Sequence, residues 1–138
     1  MREYLFRGKR TFCNEWVFGD LGHYPDRTKI DTHENGQPWR GYDVFPETVG
    51  QFTGLTDKNG KKIFEGDIIR AKIEGGNHNG FKWPNMPVDF QQGSFCLTDR
   101  KGYIFCVLGA FAPSVTLEVI GNIHDNPELL EGGVEECG

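Results

Sequence analysis

The stretch "FTGLTDKNGKKIFEGDIIRAK", residues 52–72, holds three glycines, two aspartates, an Asn-Gly pair and a run of isoleucines. It reads either as a ligand-holding loop or as punctuation between strands. "TGL" ends one strand, "TDKNGK" turns the chain and "KIF" begins the next. Asn59-Gly60 is a short-range hairpin signal, because both residues tolerate positive φ. "EGD" makes a second turn, after which Ile68/Arg70/Lys72 alternate against Ile69/Ala71/Ile73. A calcium loop is the competing reading. Counting Asp57 as its first position, the fifth and sixth are Lys61 and Lys62 and the twelfth is Ile68, where the ion needs an oxygen ligand, a glycine and a glutamate. Two lysines would repel the ion, so the stretch is read as a hairpin leading into a strand.

The same punctuation extends outward. "EYLFRGKR" and "EWVFGDL" predict an N-terminal β-hairpin carrying Tyr4, Phe6, Trp16 and Phe18. Residues 22–43 are polar and rich in turn formers. They are expected to be a long loop with a short strand near Thr28–Thr32 and a turn at Asn35-Gly36. "VFPETVGQFTGL" restores the strand pattern, with Val49, Phe52 and Leu55 as its buried set. Residues 74–86 form a second glycine-rich loop. Beyond it "PVDFQQ", "SFCLTD", "GYIFCVLG" and "VTLEVIGNI" predict four strands, with a tight turn at Arg100-Lys101-Gly102. "DNPELL" suits one helical turn, capped by Asp125 or Asn126 with Pro127 at its first position. No internal repeat is evident.

Strands with turns every ~8–12 residues indicate a sandwich or small barrel. The expected fold is mainly β (α+β at most): a short-stranded SH3-like β-barrel in the C-terminal part, with an N-terminal β-hairpin subdomain. The 138 residues are read as one domain, with 1–45 the hairpin and irregular loop, 46–130 the barrel-like part and 131–138 an acidic tail. Apolar residues make up only 37%, but 13% of the chain is aromatic, and large rings fill a core with fewer residues.

Charge limits the partners. Residues 1–70 carry 11 basic and 11 acidic side chains, whereas 71–138 carry four and nine, so the second half supplies the whole net charge of −5. The basic cluster Arg2, Arg7, Lys9 and Arg10 is offset by Glu3, which disfavours general phosphate binding. "MREYLFRGKR" has charges where a signal peptide is apolar, and no apolar run reaches the ~20 residues of a membrane helix. A cytoplasmic protein with reduced thiols is expected. Cys13, Cys96, Cys106 and Cys137 lack CxxC spacing, although Cys96 and Cys106 could face each other across a hairpin.

No residue set suggests catalysis, a cofactor or a metal. His23, His33, His78 and His124 are scattered without ligand spacing. Ser94 and Ser114 lack a nucleophile elbow. Glu65/Asp67 and His124/Asp125 are the close titratable pairs, and Asp67 is expected to bond amides of its own turn. What remains is surface. Trp39, Tyr42, Phe81 and Trp83 lie in polar segments, where large rings either tuck under their loops or form an interface.

The blocks "VGQFTGLTDKNGKKIFEGDIIR" and "LEVIGNIHDNPELL", with "FRGKR" and "EWVFGDL" at the start, resemble the YopX family of bacteriophage and prophage proteins. Gly8 stands where that family often has an aromatic residue or alanine. The likeness implies a small, predominantly β, phage-encoded protein without an established activity, and it brings no catalytic residues. Its signature falls on Gly54, Asp57, Asn59, Gly60, Gly66, Asp67, Gly121 and Asn122, the residue types that shape turns. A non-enzymatic accessory protein binding another protein or itself is the first expectation. A nucleic-acid-binding module using the barrel and the basic N-terminus is the second.

Overall fold

The computed structural model describes residues 3–32 and 40–131. They form two antiparallel sheets, one of six strands in the order β4-β3-β2-β1-β5-β6 and one of five in the order β10-β9-β8-β7-β11. By contacts the chain divides into two compact units, Met1–Gly54 and Leu55–Gly138. The Asn35-Gly36 turn, Trp39 and the expected acidic tail beyond Glu131 lie outside the described residues.

In the first unit, β1 (Phe6–Lys9) and β2 (Trp16–Tyr24) form the expected hairpin, with Phe6 opposite Gly19 and Lys9 opposite Trp16. β1 also pairs with β5 (Gly50–Thr56), placing Arg7 opposite Gly50. Thr48 sits in a 3-10 turn (Pro46–Thr48). Its hydroxyl accepts the Lys9 N–H at 2.9 Å and donates to the Phe45 carbonyl at 2.6 Å, fixing the approach to β5. The polar segment 22–43 holds the short strand expected near Thr28–Thr32, but its described residues are mostly strand where a long loop was expected. β2 runs on to Tyr24, and β3 (Arg27–Thr32) and β4 (Arg40–Asp43) extend the sheet beside it. Only Ile30 of β3 is fully buried. A strand with so few buried side chains carries almost no apolar alternation, and the backbone ladder holds it instead.

In the second unit, β6 (Lys62–Phe64) leads through a turn at Glu65-Gly66 into β7 (Asp67–Ile73). The meander follows as β8 (Met86–Gln91), β9 (Ser94–Thr98) and β10 (Ile104–Val107). A 3-10 turn (Leu108–Ala110) then leads to β11 (Val115–Asn122), which returns to pair with β7 along its whole length. A single short helix, α1 (Glu128–Glu131), ends the described chain. Ile63, Ile69, Met86, Val88, Leu97 and Leu108 make the core. The mainly β expectation holds. The closed barrel does not, because among the described residues no pairing joins β10 to β11 and the sheet stays open.

Three local expectations are corrected. Leu55 is exposed (39%), while Phe52 is buried, because Leu55 lies where β5 runs out into the turn. Cys96 and Cys106 are free thiols. The β9–β10 register sets Cys96 opposite Val107 and Cys106 opposite Leu97, with an irregularity between Ile104 and Cys106, so the two sulfurs do not face each other. Asn59 does not take positive φ. In the turn 57–61 only Gly60 does, at 82°, with its N–H donated to the Asp57 carbonyl at 3.0 Å. The loop is therefore an ordinary turn followed by a left-handed glycine, not the two-residue loop with both φ positive.

Gly60 has open space around its Cβ position, so a side chain there meets no clash but must enter the left-handed region. Gly60→Val is expected to cost about 1–2 kcal/mol from backbone strain alone. The melting temperature should fall by several degrees in calorimetry; an unchanged value would show that the turn has another geometry.

Candidate functional site

Two neighbouring features of the second unit stand out from ordinary packing: a carboxylate that covers a sheet edge, and a face of aromatic rings. The carboxylate is Asp57, which is buried (7% exposed) at the tip of the β5–β6 hairpin. Its Oδ1 accepts the N–H groups of Asn59 and Lys61, both at 2.9 Å. Its Oδ2 accepts the N–H of Val119, 62 residues away on β11, at 3.0 Å. The next residue, Lys58, donates its backbone N–H to the Leu117 carbonyl at 2.9 Å. Leu117 and Val119 lie on the outer edge of β11, so the hairpin tip satisfies backbone groups that would otherwise be open to another strand. Burial alone would raise the Asp57 pKa. The N–H donors of Val119, Lys61 and Asn59, with the charge of Lys61, outweigh it and hold the carboxyl below its ordinary value.

The same device recurs. Asp99 accepts the N–H groups of Lys101 and Tyr103 on Oδ1 at 2.9 and 3.0 Å, and the Gly102 N–H meets the Asp99 carbonyl at 3.0 Å. "TDKNG" (56–60) and "TDRKG" (98–102) are thus one turn used twice. The Thr-Asp-x-x-Gly spacing was the sequence signal for this pair. The Asp57 turn differs in reaching across to β11.

The other signature residues are structural as well. Asp67 is 1% exposed, and its Oδ2 accepts the Phe64 N–H at 2.7 Å across the Glu65-Gly66 turn. Gly66 donates to the Val88 carbonyl and accepts from the Ile123 N–H, both at 2.9 Å, linking β8 to the end of β11. Asn122 Oδ1 accepts the N–H groups of His124 and Asp125, and Asn126 Oδ1 accepts the Asn122 N–H. The Asn126 side chain thus faces back toward β11 instead of forward into α1. A Cβ on Gly121 would stand 2.6 Å from Asn126 Oδ1 and 2.8 Å from a Leu129 methyl, so this reciprocal turn needs glycine there. Gly54 has φ 90° within β5. His124 and Asp125 are parts of the turn.

The rings expected at an interface are divided. Residues 80–83 are bonded to the end of β7, through Ile73 N–H to the Phe81 carbonyl (2.8 Å) and Trp83 N–H to the Ala71 carbonyl (3.1 Å). Trp83 packs against the core, edge-on to Phe81 (5.1 Å), Phe111 (6.1 Å) and Phe105 (6.4 Å). Phe81 and Phe105 remain half exposed, at 52% and 46%. Phe111 continues into a shallow groove of about 360 Å³, lined by Leu55, Lys58, Leu108, Pro113 and Leu117 among others. Phe105 and the groove were not foreseen. Neither carries a motif, because a ring inside a strand pattern looks like core.

Tyr42 is elsewhere, on β4 of the first unit. Its ring is covered by the Arg10 guanidinium at 4.3 Å. Arg7 is 7% exposed and stacks over Trp16 at 4.7 Å, with Lys9 at 5.9 Å from the same ring. Of the N-terminal cations that could have met phosphate, Arg7, Lys9 and Arg10 are engaged with aromatic faces, and Arg2 lies outside the described residues. Cys96 is a buried thiol whose pKa is raised by burial and by the charge of Asp89, so it is a poor nucleophile. No helix among the described residues is long and apolar enough to cross a membrane.

The chain belongs to the YopX family: the family model, described as YopX protein, matches residues 5–131. The crystal structure of protein EF1440 from Enterococcus faecalis is similar in fold, with a TM-score of 0.54 at 24% identity, over 94% of this chain and 99% of that one. No curated protein matches. Gly8 lies against the first unit's packing, where a Cβ would stand 3.0 Å from the Val44 side chain.

Because the folded pKa of Asp57 lies below its unfolded value, its stabilisation is present above the unfolded value of about 3.9 and is lost as pH falls through the folded pKa. Asp57→Ala orphans three backbone donors and is expected to cost about 1–3 kcal/mol at neutral pH. Urea melts of both proteins should converge as pH falls below the carboxylate range. A gap that does not narrow would mean that folding does not lower the Asp57 pKa.

Proposed function

We propose that this chain is a phage- or prophage-encoded accessory protein that works in the host cytoplasm without catalysis, by protein–protein binding or self-assembly. One observation carries the reading: the face around Trp83, where Phe81 and Phe105 stay half exposed although they are edge-packed onto a partly buried ring. A cluster held this way is rigid, so a partner covers its apolar area with little loss of side-chain freedom. The groove beside Phe111 extends the same surface. The strand order β10-β9-β8-β7-β11, with a 3-10 turn before the last strand, supports an SH3-like arrangement for this unit, opened between β10 and β11.

The second reading, nucleic-acid binding through the basic N-terminus, is weakened by the placement of Arg7 and Arg10 over rings and by the net charge of −5. The two readings separate by salt. A wild-type bait and a Phe81→Ala bait, each examined by native mass measurement after capture from host lysate, should differ: the wild type retains a stoichiometric protein at high salt and the variant loses it. DNA binding that collapses as salt is raised would replace this reading with the nucleic-acid one.

A further inference from the structure

The two edges of the five-stranded sheet are treated in opposite ways. The outer edge of β11 is covered by the hairpin tip, through Lys58 N–H to the Leu117 carbonyl and the Asp57 carboxylate to the Val119 N–H. Among the described residues, no backbone hydrogen bond from another element reaches Ile104–Val107 except through its β9 pairing. β10 also lacks the usual protection by charge. Gly102–Leu117 runs sixteen residues without a charged side chain, in a chain that is 25% charged. The other short edge strands carry charge, Arg40 and Asp43 on β4 and Lys62 on β6. On β10, Phe105 and Val107 are 46% and 44% exposed, and Tyr103 just before it is 67% exposed.

We infer that β10 is a self-association edge, on which a second copy of this chain adds its own β10 antiparallel across a two-fold axis. Two identical strands in this arrangement always meet in matched register, residue i against j and j against i, so one free edge supplies both halves of the ladder. Charge selects the second copy. Protomers that each carry −5 repel at most surfaces, and the neutral segment 102–117 is where they approach without setting like charges together. The short strand gives few backbone bonds, and the paired Phe105 and Val107 side chains supply the apolar contact that supplements them. This goes beyond the binding reading above, which concerns the ring face around Trp83.

Light scattering over a concentration series tests it. The wild type should pass from 15.6 kDa to twice that mass. Val107→Lys puts a charge into each half of the apolar contact, opposite the other copy's Phe105, and should raise the dissociation midpoint by about tenfold or more. Since Val107 is half exposed, the variant should keep the wild-type melting temperature at low concentration, where both are monomers. Hydrogen exchange gives a measure independent of any variant: the 104–107 amides of the wild type should gain protection as concentration rises. Phe81→Ala should leave the dimer intact even where it abolishes capture of another protein. A wild type that stays monomeric, a dimer indifferent to Val107→Lys, or exchange at 104–107 that ignores concentration would each overturn the inference. Loss of the dimer in Phe81→Ala alone would overturn it in favour of self-association through the ring face.

Discussion

The carboxylate of Asp57 holds together segments that are far apart in sequence. With one oxygen it organises its own turn, and with the other it reaches Val119 on β11. An ionised group at 7% exposure would be costly without donors, and three backbone N–H groups supply them. The backbone bond from Lys58 to Leu117 then aligns the hairpin along the strand. β11 in turn pairs with β7 along its full length, and β7 carries Ile69 into the core. The turn that seemed mere punctuation therefore also closes one side of the sheet.

Much of this was legible in the sequence, and the failures have physical causes. Strands β7 to β11 were readable because their apolar residues alternate or run together and their turns carry Gly, Asn and Asp. Of the segment 22–43 only the short strand near Thr28–Thr32 was, because β3 and β4 are held by backbone pairing with Ile30 alone fully buried, which leaves little alternation to detect. Asn59-Gly60 gave the hairpin correctly and its geometry wrongly, since Asn-Gly is compatible with more than one loop. The Cys96 and Cys106 pairing failed through the irregularity at Phe105, which no local pattern announces. The repeated Thr-Asp-x-x-Gly was visible but is too short to stand out until both copies are seen making the same bonds.

The candidate binding surface was half legible for a related reason. Trp83 and Phe81 stood out as rings among polar neighbours, yet only Phe81 is half exposed while Trp83 packs on the core. Phe105 lay unnoticed within an apolar run. Tyr42 and the N-terminal cations explain one another: Arg10 covers the Tyr42 ring and Arg7 covers Trp16, so charges and rings that looked like separate surfaces form stacked pairs. A stacked guanidinium has both a covered face and an aligned partner, and drawing it away to a phosphate would sacrifice that contact.

The β7–β11 pairing also has a consequence for how the chain is made. Asp67–Ile73 emerges from the ribosome well before Val115–Asn122, its antiparallel partner, and the Asn122–Asn126 turn comes later still. Until then β7 can pair only with β8, and one flank of a largely apolar strand waits without its mate. Long-range pairings of this kind form slowly, because the intervening chain must be ordered first. The nascent protein thus passes through a window, closing only once β11 has emerged, in which a strand whose Ile68, Ile69 and Ala71 become fully buried is open to chaperones or to wrong neighbours.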